Sequence, residues 1–206
     1  MNNAAHQLVI GTSNTHKAEE LADLLEPYGF EIRTLKDFAN PLDVEENGDS
    51  FAANALLKAS QQAQHLNQWV LADDSGLEVD ALKGAPGIYS ARYAGTGIDA
   101  DNNAKLLEDL ADVPWEKRGA RYYCHVAIAD PTGTIRAESG GECRGVIRRS
   151  ASGSNGFGYD PLFEIREYHQ TFGDLGPHVK AALSHRARAM RAILPQMLAL
   201  VANGAW

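Results

Sequence analysis

The chain announces its architecture in Leu8-Val9-Ile10-Gly11-Thr12-Ser13-Asn14-Thr15-His16-Lys17. Its three apolar residues predict a buried strand. The polar turn after them opens onto a segment where Ala18, Leu21, Leu24 and Leu25 recur at helical spacing. Gly29 ends that helix. Phe30, Ile32 and Thr34 then alternate with Glu31 and Arg33, as residues of a half-buried strand do. Strand, helix and strand in succession are the unit of an α/β or mixed α+β architecture.

The alternation continues along the chain. A second helix is predicted from Ser50, with Phe51, Ala55, Leu56, Ala59 and Ala63 on its inner face. Trp69 to Ala72 form a short apolar strand that runs directly into Asp73-Asp74-Ser75-Gly76, predicted as a turn at the strand's carboxyl end. Asp99 or Asp101 is expected to cap a helix carrying Leu106, Leu107 and Leu110. Tyr122 to Ala129 and Thr134 to Glu138 flank Pro131-Thr132-Gly133 as the arms of a hairpin. Leu162 to Ile165 is a further strand, and the last long helix starts near Lys180 or Ala181 and passes Leu198, with Pro195 expected to kink or interrupt it. With no repeat, low-complexity tract or linker, residues 1–206 are expected to form a single domain.

Composition narrows the function. Hydrophobic residues make up 44% and charged residues 22%, which suggests neither disorder nor a membrane class. No apolar run approaches the roughly 20 residues of a membrane-spanning helix. Met1 to Gln7 lacks both the basic start and the apolar core of a secretory signal, so a cytoplasmic location is expected. Cys124 and Cys143 belong to no CxxC or Cys/His ligand spacing and are expected as reduced core thiols. A formal charge of −8 argues against non-specific nucleic-acid binding. A small anionic ligand would need a local cationic pocket and a divalent metal.

Four segments carry the chemistry. Thr12 to Lys17 lie between a predicted strand and a predicted helix, where free backbone N–H groups and the helix dipole attract anions. Their hydroxyls, Asn14 and Lys17 suit phosphate, although an ordinary capping turn with a solvated lysine has the same letters. Asp73 and Asp74 repel each other unless a cation or proton intervenes, which makes them candidates for Mg2+ ligation and water activation. Glu45 and Glu46 could add metal ligands. Gly153 to Pro161 is a glycine loop in which Phe157 or Tyr159 could stack on a base, or pack within the loop itself. Ser184-His185-Arg186, with Lys180 one turn earlier, could read base oxygens or phosphate, or form a solvated helix face.

The order and spacing of these segments resemble the inosine/xanthosine triphosphate pyrophosphatase family from Leu8 to about Leu194. The resemblance rests on Thr12 to Lys17, on Phe51 with Asn54-Ala55-Leu56-Leu57-Lys58-Ala59, and on Ala72 to Asp80. It continues through Gly84 to Tyr93, Gly156 to Pro161 and Ser184-His185-Arg186. It implies an α/β fold, an elongated mixed sheet with flanking helices in two lobes around a nucleotide cleft. It also implies a homodimer and Mg2+-dependent hydrolysis of ITP, dITP and XTP to the monophosphate and pyrophosphate, clearing them from the nucleotide pool. By the same resemblance Thr12, Ser13, Asn14, Thr15, His16 and Lys17 hold the triphosphate, Glu45 and Asp74 hold the metal, and Asp74 is the proton acceptor. Asp73 and Lys58 join the catalytic group, while Ser75, Phe157, Gly158, Tyr159, Asp160, Lys180, His185 and Arg186 match substrate contacts. Ala53 stands where the family usually has a glutamate. A pyrophosphatase of different base preference and a non-catalytic nucleotide-binding module are the alternatives.

Overall fold

The computed structural model describes residues 6–206, so the Met1–Ala5 part of the segment considered for a leader lies outside the described residues. The elements are β1 (His6–Ile10), α1 (Thr15–Leu25), β2 (Phe30–Thr34), α2 (Phe51–Leu66), β3 (Val70–Val79), α3 (Asp99–Asp109), β4 (Gly119–Ala129), β5 (Ile135–Ile147), β6 (Phe163–Ile165), β7 (Gln170–Thr171), α4 (Pro177–Leu183) and α5 (His185–Ala202). The strands form a seven-stranded sheet in the order β2-β1-β3-β4-β5-β6-β7. β1 runs parallel to both β2 and β3, whereas β6 is antiparallel to β5 and β7, so the sheet is mixed, as the α/β reading expects. The chain divides into two compact units. One comprises the chain through Asp74 with Cys124–Gly141 and Arg186–Trp206, the other Ser75–Tyr123 with Glu142–His185.

In the first unit the two faces of the strands build two separate cores. Leu8, Ile10, Leu71, Cys124, Val126 and Ile128 pack against Ala18, Leu21 and Leu25 of α1 and Ala189, Met190, Ile193 and Met197 of α5. Their strand neighbours Val9, Val70, Ala72, Ala127 and Ala129 turn to the opposite face and meet Ala55, Ala59 and Ala63 of α2. Three alanines at i, i+4 and i+8 give α2 a smooth stripe that lets its backbone approach the sheet closely. Ser50 starts this helix, its side chain accepting from the N–H of Ala53.

The second unit has its own core of Leu77, Val79, Leu106, Leu110, Ala120, Tyr122, Ile147, Tyr159, Leu162, Phe163 and Phe172. Arg118 is buried there with no carboxylate partner among the described residues, and its guanidinium donates to the carbonyls of Leu110, Ile147 and Arg148 at 2.6, 2.8 and 2.9 Å. Backbone dipoles thus carry a charge that a lone buried cation could not otherwise sustain.

Three sequence expectations are corrected. Asp73 to Gly76 do not form a turn: β3 continues through them to Val79, because each acid meets a partner and Leu77 and Val79 resume the buried alternation. Asp99 is the first residue of α3 and makes no side-chain cap; its carboxylate accepts instead from the N–H of Gly158 at 2.6 Å. The terminal helix is two helices, parted at Ser184 where the backbone is extended, and α5 runs on through Pro195 to Ala202. Among the described residues no helix is long and apolar enough to cross a membrane.

Candidate active site

Gly11 closes β1 with no room for a side chain, since a Cβ there would lie 2.6 Å from Cγ1 of Val70 on β3. The N–H of Gly11 donates to the carbonyl of Leu71 at 2.8 Å, which brings the turn after β1 beside β3. Within the turn Thr12 Oγ1 accepts from the N–H of Asn14, and Asn14 Oδ1 caps α1 by accepting from the N–H of Lys17 at 3.1 Å. Ser13 to His16 stay exposed at the positive end of the helix dipole. Lys36, just after β2, donates to Thr15 Oγ1 at 2.9 Å and adds a second cation to the turn. Lys36 is not among the residues singled out from the sequence; the signal that marks it is its position just past the carboxyl end of a strand predicted to neighbour the first.

Asp73 and Asp74 are consecutive strand residues, so their side chains leave opposite faces of the sheet. Asp73 points to the α1 and α5 side. Its Oδ2 lies 3.4 Å from Lys17 Nζ and 3.3 Å from both Nε and Nη2 of Arg186, whose Nη1 donates to Glu20 of α1. Burial opposes ionisation of Asp73, but Lys17 and Arg186 overcome it and hold the carboxyl well below the usual range. The thiol of Cys124, 3.7 Å from the same oxygen, is pushed well up by burial and by that negative charge.

Asp74 faces α2. Lys58 Nζ sits 3.3 Å from its Oδ1, and Asn54 Nδ2 donates to its Oδ2 at 3.1 Å. Lys58 also reaches Glu46 Oε2 at 3.1 Å and so joins two acids. Burial raises the pKa of Asp74, with Glu46 adding to the rise and Lys58 and Lys17 opposing it. Burial works against the Lys58 charge too, but Asp74, Asp73 and Glu46 together raise its pKa.

The donor set suits a hard divalent cation. Asp74 and Glu46 offer carboxylate oxygens on either side of Lys58, and Mg2+ characteristically takes one or two carboxylates, completing its shell with water and substrate phosphate. Among the described residues no three His, Cys, Asp or Glu side chains gather into a cage. Glu45, expected as a ligand beside Asp74, is exposed in the same loop; Glu46 is the acid that meets Lys58.

The second unit gathers the rest. Gly156 and Gly158 adopt left-handed φ values of 74° and 62°, and a Cβ on Gly156 would strike the carboxylate of Asp160. Asp160 Oδ2 accepts from the N–H of Phe157 at 2.9 Å and from Lys180 Nζ at 2.6 Å, and that ammonium lies 4.6 Å from the centre of the Phe157 ring. The Tyr159 hydroxyl donates to the carbonyl of Ser90, and His185 stacks on Tyr122 with ring centres 4.7 Å apart. Ser75 is half-buried in β3. Arg186, expected to act together with its sequence neighbour His185, belongs to the first unit, where it is 1% exposed and bound to Asp73 and Glu20.

The family model described as the Ham1 family matches residues 8–196. The chain belongs to the Ham1 family. A relative from Rhodopirellula baltica named dITP/XTP pyrophosphatase is 54% identical over 200 residues, covering 97% of this chain and 96% of its own. Among solved structures, a Ham1 protein from Coxiella burnetii superposes with a TM-score of 0.85 at 34% identity, covering 94% of this chain and 98% of that one. A nucleoside-triphosphatase / dITP/XTP pyrophosphatase from Mycobacterium abscessus gives 0.74 at 42% identity, with coverage of 93% and 99%. The Ham1 match spans every segment on which the sequence resemblance rests, from Thr12 to Arg186.

Proposed function

We propose that this Ham1-family chain is a nucleoside triphosphate pyrophosphatase that hydrolyses dITP, ITP and XTP to the monophosphate and pyrophosphate with Mg2+. The observation that carries the proposal is Lys58 held between Asp74 and Glu46, with Lys17 on Asp73 beside the amino end of α1. Names borne by close relatives support the same reaction.

Thr12 to Lys17 receive the triphosphate, where backbone N–H groups and Lys17 meet its negative charge. Asp74 takes a proton from the water whose oxygen attacks the α-phosphorus; the α–β phosphoanhydride bond breaks and pyrophosphate leaves. Lys58 and Asn54 hold the two oxygens of the Asp74 carboxylate and so fix the proton acceptor in place. Asp74 and an acid of the 45–46 pair would hold Mg2+, which would supply neutralising charge to the triphosphate oxygens. Lys17 and Lys58 stabilise the charge that builds on the leaving group. Phe157 to Asp160, Lys180 and His185 contact the nucleoside, with donors facing the 6-keto oxygen that deaminated purines carry and adenine lacks.

Initial rates of pyrophosphate release from dITP, ITP, XTP, GTP and ATP, with and without Mg2+, test the proposal. The deaminated purines should exceed ATP by about 100-fold or more, because an adenine amino group would oppose another donor. Rates should fall to background without the metal. Equal rates with ATP and dITP would overturn the proposed selectivity.

A further inference from the structure

Asn54 lies on the sheet side of α2, 2% exposed, and its amide is used at both ends. Nδ2 donates to Oδ2 of Asp74 at 3.1 Å, and Oδ1 accepts from the N–H of Gly48 at 2.8 Å. A buried amide satisfied on both sides has one orientation only, because reversing it would set donor against donor and acceptor against acceptor. Gly48 reaches it at backbone distance: a Cβ there would lie 2.6 Å from Asn54 Oδ1 and 2.7 Å from the Cβ of Ala53. The start of the same loop is also fastened to α2. The N–H of Leu42 donates to Gln62 Oε1 at 3.0 Å, and His65 Nε2 lies 2.7 Å from the carbonyl of Asn40. The segment that carries Glu45 and Glu46 is thus pinned at both ends, and the pin nearer the acids is the residue that also holds Asp74.

We propose that Asn54 is a positioning residue for the pyrophosphatase reaction. It fixes the carboxylate of Asp74 and the loop bearing Glu46 relative to each other, so that both acids meet Lys58. The inference rests on the proposed role of Asp74. Asn54 touches no reacting atom; it acts through the two groups it joins.

Three variants separate its arms. Asn54→Leu keeps the volume and removes both hydrogen bonds. Asn54→Asp keeps an acceptor for Gly48 but loses the donor to Asp74. Gly48→Ala pushes on the amide from the loop side and removes no buried group. The readouts are kcat and KM for dITP, calorimetric affinity for a non-hydrolysable dITP analogue without Mg2+, and Tm. In both Asn54 variants kcat should fall about 10- to 100-fold, the usual effect of losing a hydrogen bond that orients a catalytic or metal-binding carboxylate. KM and metal-free nucleotide affinity should change by less than about threefold, since ground-state binding is untouched. Gly48→Ala should lower kcat in the same direction with a smaller loss of Tm than Asn54→Leu, and it decides the matter if Asn54→Leu does not fold. A fall in Tm and nucleotide affinity with kcat unchanged would mark Asn54 as merely structural and overturn the inference. Asp74→Asn serves as the reference. If it works at the normal rate, the catalytic assignment fails and this inference with it. If it is inactive while Asn54→Leu and Gly48→Ala are fully active, the positioning role alone is wrong.

Discussion

Two neighbouring aspartates have opposite electrostatic fates because they occupy a strand. Asp73, facing α1 and α5, lies between Lys17 and Arg186 and is held ionised. Asp74, facing α2, shares one lysine with Glu46, and burial pushes its pKa upward. The ion pairs of Asp73 therefore also support the fold. Asp73→Asn should destabilise the fold by about 3–5 kcal/mol, because Arg186 would remain buried without its main counter-charge. Denaturant unfolding measures this, and a loss below about 1 kcal/mol would contradict the assignment. The pH dependence follows by linkage. A carboxyl whose folded pKa lies below its unfolded value of about 3.9 stabilises the fold fully at higher pH and loses that contribution as pH falls through the folded value. Asp73 should thus stabilise evenly from weakly acid to neutral pH and fail only in strong acid, a decline absent from Asp73→Asn. Lys17 and the acid pair are legible as candidates from residue type and position in the sequence, whereas Lys58 enters only through the family resemblance. The division of labour between the two acids is not legible, because it depends on β3 running straight through residues whose polar letters suggest a turn.

Among the elements, α2 shows how closely packing constrains the site. Its alanine stripe of Ala55, Ala59 and Ala63 sets the distance between helix and sheet, and Asn54 and Lys58 on the same helix reach Asp74 only at that separation. Ala59→Leu should therefore cost about 1–3 kcal/mol by overpacking. It should also lower turnover while the metal-free affinity for nucleotide stays near normal; unchanged stability and unchanged kcat would contradict this account of the spacing. Periodicity in the sequence is sufficient to recognise α1, α2, β1 and β2, since apolar spacing marks which face is buried. It fails at the terminal helix. The break at Ser184 lies inside a continuous run of helix-compatible residues, whereas Pro195, the conspicuous breaker, is accommodated within α5. Along α5, Ala187, Ala189, Met190, Ile193 and Met197 supply buried contacts that outweigh local propensity.

For the molecule as a whole, a formal charge of −8 coexists with a local concentration of cations, Lys17, Lys36, Lys58 and Arg186, around the turn after β1 and the two acids of β3. Local charge, not net charge, governs a small anionic ligand, and the chain's composition conceals that concentration. Strand order is equally hidden: β1 between β2 and β3 follows from long-range pairing that no local pattern encodes. The resemblance to a pyrophosphatase family supplies what local pattern lacks, and the Ham1 match bears it out. Asp74, flanked by Lys58 and Asn54, is the residue proposed to carry the hydrolysis of the α–β bond. Single-turnover release of pyrophosphate from dITP with Mg2+, compared between the wild-type chain and Asp74→Asn at matched Tm, tests it most directly. The rate should fall by about 100-fold or more in Asp74→Asn with the fold intact; release at the wild-type rate would remove Asp74 from the reaction.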